Sequence, residues 1–124
     1  MSHKPEGYPT ASPYLLVREA EKTLQFLESV FDAERLRVIA GEDGQSIAHA
    51  EARLGDSVVM MGQTPDAAPS HVHVYRPDVD DCFARAKAAG GEVVQPPKQG
   101  ADGDYRGGVA DANGIVWWIS EQRG

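Results

Sequence analysis

Apolar residues at Leu24, Phe26, Leu27, Val30 and Phe31 recur at helical spacing, and they predict an amphipathic helix over residues 19–31. Ahead of it, residues 11–17 (A-S-P-Y-L-L-V) predict a strand, and Pro13 places that strand at a sheet edge. Residues 34–39 form a short strand candidate, followed by a turn over 41–44. Residues 47–54 then alternate strictly: Ile47, His49, Glu51 and Arg53 face one way, and Ala48, Ala50, Ala52 and Leu54 the other. Gly55-Asp56 turns the chain into a strand over 57–61, and Pro65 and Pro69 mark residues 63–70 as a connection.

The order then repeats. Residues 71–75 predict a strand and 79–89 a helix, with Asp78 as its N-cap and Gly90-Gly91 as its stop. Residues 92–95 predict a short strand and 96–104 a loop rich in Pro and Gly. Strands over 107–110 and 115–120 are joined by Asp111-Ala112-Asn113-Gly114, a strong hairpin signal. The halves share little sequence, so the order of elements carries the duplication. The predicted fold is α+β: two βαβββ modules (8–63 and 70–122, linker 64–69) in a single domain spanning 1–124. One module alone leaves a curved sheet with a bare face, so two modules are expected to curl around a central cavity.

Charge narrows the partners. The net charge is −7 with no basic cluster, which excludes phosphate backbones and anionic membrane surfaces as expected partners. No apolar run is long enough to span a bilayer, and a cytoplasmic location is expected. The polar start, residues 1–7, reads as a disordered tail. Cys82, the one cysteine, excludes an intramolecular disulfide and is expected as a buried thiol. The glycines at 100, 103, 107 and 108 lack the spacing and the following helix of a phosphate-binding loop.

Residues 70–91 (S-H-V-H-V-Y-R-P-D-V-D-D-C-F-A-R-A-K-A-A-G-G) resemble the start of the second module of the vicinal oxygen chelate superfamily. That group holds glyoxalase I, bleomycin-resistance proteins, fosfomycin-resistance enzymes and extradiol dioxygenases. Residues 106–119 (R-G-G-V-A-D-A-N-G-I-V-W-W-I) resemble its closing turn and last strand, and residues 13–31 and 49–61 resemble its first module. In metal-dependent members the first and last strands of each module ligate one divalent ion. By position the resemblance assigns those places to Ser12, Met60 (or Met61), His71 and Trp118. His71 alone keeps a suitable donor, since a thioether is too soft, a lone serine too weak, and an indole has no free lone pair. The resemblance also implies a homodimer.

Two same-face pairs carry candidate chemistry: His49 with Glu51, and His71 with His73. His49, Glu51 and His73 are the candidate catalytic residues, because a carboxylate beside an imidazole fixes its tautomer. A half-exposed strand whose side chains are solvent-facing or ion-paired is the plainer reading of 49–53. Trp117 and Trp118 must face opposite ways, and by the resemblance Trp118 walls the cavity. The expected function is binding of a small organic ligand in a largely metal-free cavity lined by Tyr14, Met60, His71, His73, Tyr75 and Trp118. Tyr105 and Arg106 would close its mouth from the glycine-rich loop. No cofactor is expected. The alternative is a metal-dependent lyase, isomerase or dioxygenase with a divalent ion relocated around His71.

Overall fold

The computed structural model describes residues 3–124. Module one runs β1 (Tyr14–Val17), α1 (Ala20–Phe31), β2 (Glu34–Ala40), β3 (Ile47–Leu54) and β4 (Ser57–Gln63). Module two runs β5 (Ser70–Tyr75), α2 (Val79–Ala88), β6 (Glu92–Gln99), β7 (Asp104–Ala110) and β8 (Ile115–Gln122). The sheets are ordered β1-β4-β3-β2 and β5-β8-β7-β6, so each module has the same mixed topology. The first strand of each pairs in parallel with the last, Tyr14 beside Met60 and His73 beside Trp118. The α+β pair of βαβββ modules expected from the order of elements is therefore present.

Each sheet has one face against helices and one open face. Leu15, Val17, Ala50, Ala52, Val59 and Met61 bury against Leu24, Leu27 and Phe31 of α1. Val109, Ile115, Trp117 and Ile119 do the same with Val79, Cys82 and Ala86 of α2, and all belong to one core cluster. Trp117 joins the modules, since its ring centroid lies 6.3 Å from Phe26 and 5.9 Å from Phe31, both on α1. The helix layer is thus shared, and among the described residues no strand of one sheet is hydrogen-bonded to the other. One chain does not close its sheets around a central hollow, which corrects that expectation. The physical cause is that the apolar helix-side faces merge first, because they remove the most surface from water.

Three local expectations also change. Residues 96–99 continue β6 through Pro96 and Pro97, because β6 is an edge strand whose register shifts there, where a missing N–H breaks no ladder bond. Asp78 makes no side-chain cap bond to α2; Arg76 and Arg85 take its carboxylate instead. The polar start is tied down: the Gly7 carbonyl accepts a 2.7 Å hydrogen bond from Arg53 Nη1, and Lys4 Nζ donates to Thr10. Met1 and Ser2 lie outside the described residues.

Candidate functional sites on the open sheet faces

On module two, alternation places His71, His73 and Tyr75 of β5, Trp118 of β8 and Arg106 of β7 on the open face. The Trp118 and His71 rings lie nearly parallel, with planes 13° apart and centroids 6.2 Å apart, and Trp118 Nε1–H donates to His71 Nδ1 at 3.0 Å. The indole lies over Gly108, where an added Cβ would sit 2.6 Å from Cζ3 and 2.8 Å from Cε3. Gly108→Ala is therefore expected to lift the ring off the sheet while changing stability by less than about 1 kcal/mol, because the half-buried ring can move outward. An altered near-UV circular dichroism spectrum at an unchanged melting temperature is the outcome that checks it.

Beside this pair lies a charged network. Arg106 donates from Nε to His73 Nε2 at 3.2 Å and from Nη2 to Asp102 and Asp104, each at 2.9 Å. Asp104 also accepts from Tyr75 Oη at 3.0 Å and from Ser120 Oγ at 3.3 Å. Burial and the neighbouring Arg106 guanidinium push the His73 imidazole below its usual range, favouring the neutral ring that accepts from Arg106.

On module one, Tyr14, His49, Glu51, Arg53 and Met60 share the open face. Glu51 is not solvent-facing: it is 3% exposed, and the N-terminal segment covers it. One carboxylate oxygen accepts from Tyr8 Oη and the other meets His49 Nε2 at 2.7 Å. His49 Nδ1 lies 3.2 Å from Tyr14 Oη, and Tyr14 is 51% exposed. Burial alone would raise the Glu51 carboxyl, but hydrogen bonds from His49 and Tyr8 outweigh it and hold it below its usual range.

The two open faces repeat one plan. His49 on β3 meets Tyr14 on β1, and Arg106 on β7 meets His73 on β5, so each module joins its first and third strands across the last. Tyr105 is the exception among the expected site residues. It points to the helix side, donates to Asp80 of α2 at 2.6 Å and lies 3.9 Å under the Arg123 guanidinium. β7 begins at Asp104, so strand alternation separates Tyr105 from Arg106 and removes it from the ligand-facing set. Tyr8, Asp104 and the glycines under Tyr14 and Trp118 were not legible as site residues, because each acts through a partner on another strand.

A hollow of about 320 Å³ opens at the module junction, lined by Pro13, Phe31, Leu54, Val59, His73 and Tyr75 among others. His71, Met60 and Trp118 stand outside its lining. The metal positions implied by the resemblance hold Ser12, Met60, His71 and Trp118, a donor set that does not fit a divalent ion, and His71 Nδ1 already accepts from Trp118. Among the described residues no group of three or more His, Cys, Asp or Glu side chains is placed to hold one.

Known proteins resemble this chain over most of its length. The family model described as "Glyoxalase/Bleomycin resistance protein/Dioxygenase superfamily" matches residues 10–119. An uncharacterised protein of Mycobacterium bovis is 33% identical over 127 aligned positions, covering 91% of this chain and 83% of its own. One from Mycobacterium tuberculosis is also 33% identical, covering 91% and 74%. Among solved structures, TioX from Micromonospora sp. ML1 superposes with a TM-score of 0.76 at 24% identity, covering 90% of this chain and 98% of that one. The fosfomycin resistance protein FosX from Listeria monocytogenes superposes with a TM-score of 0.72 at 16% identity, covering 90% and 91%. At these identities the superpositions speak for the fold alone.

Proposed function

The chain belongs to the glyoxalase/bleomycin resistance protein/dioxygenase superfamily, and from that premise we propose that it binds a small planar organic ligand, without a metal, on the open face of module two. The carrying observation is Trp118, a half-buried indole laid flat over Gly108 and flanked by His71, His73 and Arg106. A flat aromatic wall with a few fixed polar groups holds a planar ligand by stacking, and the groups orient it. Arg106 and His73 offer fixed hydrogen-bonding groups at the ligand's edge, while Asp102 and Asp104 already offset the guanidinium charge. The chemistry of the Ser12, Met60, His71 and Trp118 side chains supports a metal-free site.

A homodimer completes this reading. Tyr14 (51% exposed) and Tyr75 (64% exposed) are large aromatic groups left on open sheet faces of a single chain, with Leu16 and Ile39 also exposed there. Module one of a second copy, laid over module two of the first, would cover them and enclose the ligand. Sedimentation velocity is expected to show a dimer.

The binding test uses 8-anilinonaphthalene-1-sulfonate, a planar aromatic anion, titrated into the intact protein with EDTA present. Saturable quenching of tryptophan emission is expected, and Trp118→Ala should abolish it at an unchanged melting temperature. Quenching that survives Trp118→Ala, or that disappears when EDTA is added, would overturn the proposal.

A further inference from the structure

We propose that module one carries a proton-abstracting relay in which the Tyr14 hydroxyl takes a proton from a bound carbonyl or hydroxyl compound and passes its own to His49. The inference stands on module one and does not rest on binding at Trp118.

The geometry sets the direction of transfer. Glu51 is enclosed, and its Oε2 lies 2.7 Å from His49 Nε2, so the carboxylate fixes the imidazole tautomer that carries its proton on Nε2. That leaves a lone pair on Nδ1, which faces Tyr14 Oη at 3.2 Å, so Tyr14 donates and His49 accepts. The other Glu51 oxygen is occupied by Tyr8. One branch of the network therefore ends at the half-buried Tyr8, and the other runs from the buried carboxylate through His49 to Tyr14, a residue 51% exposed on the open face. Room for that phenol is built into the sheet: a Cβ at Gly62 would lie 2.9 Å from Tyr14 Oη and 3.2 Å from its Cε1.

A network that served only to anchor the N-terminal segment would need Tyr8 and Glu51 alone. His49 and the exposed phenol extend the network away from that segment and toward the open face. The proton balance is simple. As the ligand's C–H or O–H bond breaks, its proton bonds to Tyr14 Oη, the Tyr14 proton moves to His49 Nδ1, and the electron pair stays on the ligand as an enolate or alkoxide. The imidazolium is stabilised by the Glu51 carboxylate, and no oxidant or reductant is consumed. Tyr14 is the catalytic residue, and His49 and Glu51 are positioning residues that act through it.

The test measures nucleophilic assistance at Tyr14 directly. N-acetylimidazole transfers its acetyl group to a phenolic oxygen and releases imidazole, and mass spectrometry resolves the rate at each tyrosine. With Tyr75 as internal reference, Tyr14 acetylation in His49→Gln is expected to fall by about 100-fold, the low end of positioned base assistance. Glu51→Gln should fall in the same direction. Arg53→Ala, which frees the Gly7 carbonyl and removes the guanidinium from over the Tyr8 ring while leaving the Tyr14–His49–Glu51 hydrogen bonds in place, should keep the wild-type rate. Equal Tyr14 rates in wild type and His49→Gln, or an equal fall in Arg53→Ala, would refute the relay. Nitrogen-15 NMR of the wild-type protein tests it with no substitution: the Nε2–H tautomer of His49 is expected, and the Nδ1–H tautomer would overturn it.

Discussion

Replacing Trp117 by Ala is expected to destabilise the protein by about 3–5 kcal/mol, the range for deleting a fully buried aromatic side chain. Trp117 is 0% exposed and packs across the module boundary on Phe26 and Phe31 of α1. Its Nε1–H also donates to Asp111 Oδ2 at 2.9 Å, while the Asn113 and Ile115 backbone amides bond Oδ1. Burial pushes the Asp111 carboxyl up, and the Trp117 bond is the largest effect opposing it. Trp117→Phe separates the two roles: it keeps most of the packing but leaves the buried Asp111 oxygen unpaired, which costs about 1–3 kcal/mol. Urea denaturation of the two variants is expected to rank Ala well below Phe, and Phe below wild type. Since a domain of this size is stable by roughly 5–15 kcal/mol in total, the Ala variant should sit near the edge of folding.

Asp78→Ala is expected to cost about 2 kcal/mol, and it acts on the same joint from the polar side. The last turn of α1 has no basic residue of its own. Its unpaired carbonyls are met from module two, where Arg76 Nη1 donates to Phe31 O at 3.2 Å and Arg85 donates to Val30 O from Nε at 3.1 Å and Nη2 at 3.0 Å. Cations at a helix C-terminus are favourable, but two guanidinium groups side by side repel one another. Asp78 resolves this by accepting from Arg76 Nε at 3.0 Å and from Arg85 Nη2 at 3.2 Å.

The same carboxylate makes the joint sensitive to acid. The Arg76 hydrogen bond, against the opposing effect of burial and with help from Arg85, holds Asp78 well below the usual carboxylate range. Its folded affinity for a proton is lower than in the unfolded chain, so its contribution is complete above about pH 4, the ordinary carboxylate value. That contribution is lost as pH falls from there toward the folded value. Melting temperatures measured from pH 6 down to pH 3 should therefore fall less steeply in Asp78→Ala than in wild type, and parallel curves would show that Asp78 has no part in the acid limb.

Much of this was readable from residue order. The period-two alternation of 47–54 already put His49, Glu51 and Arg53 on one face, and adjacency alone forced Trp117 and Trp118 to opposite sides. The hairpin at Asp111–Gly114 was marked by its turn residues, though Asp111 also proved to be the buried acceptor for Trp117. Tyr105 shows how local the failures were. Reading 96–104 as loop hid the start of β7 at Asp104, and one residue of strand parity moves a side chain from the ligand face to the helix face.

The sequence by itself determined the succession of elements, the two-module plan and which side chains share a face, because these follow from periodicity and turn chemistry within a few residues. Tertiary structure alone decided that Glu51 is covered by Tyr8, 43 positions away, and that Arg76 and Arg85 cap a helix in the other module. It also decided that the two helix-side faces merge into one core and leave the sheets open outward. Each depends on contacts between distant segments, whose partners are chosen by the burial of whole faces and the pairing of buried charge, and no local pattern along the chain encodes that choice.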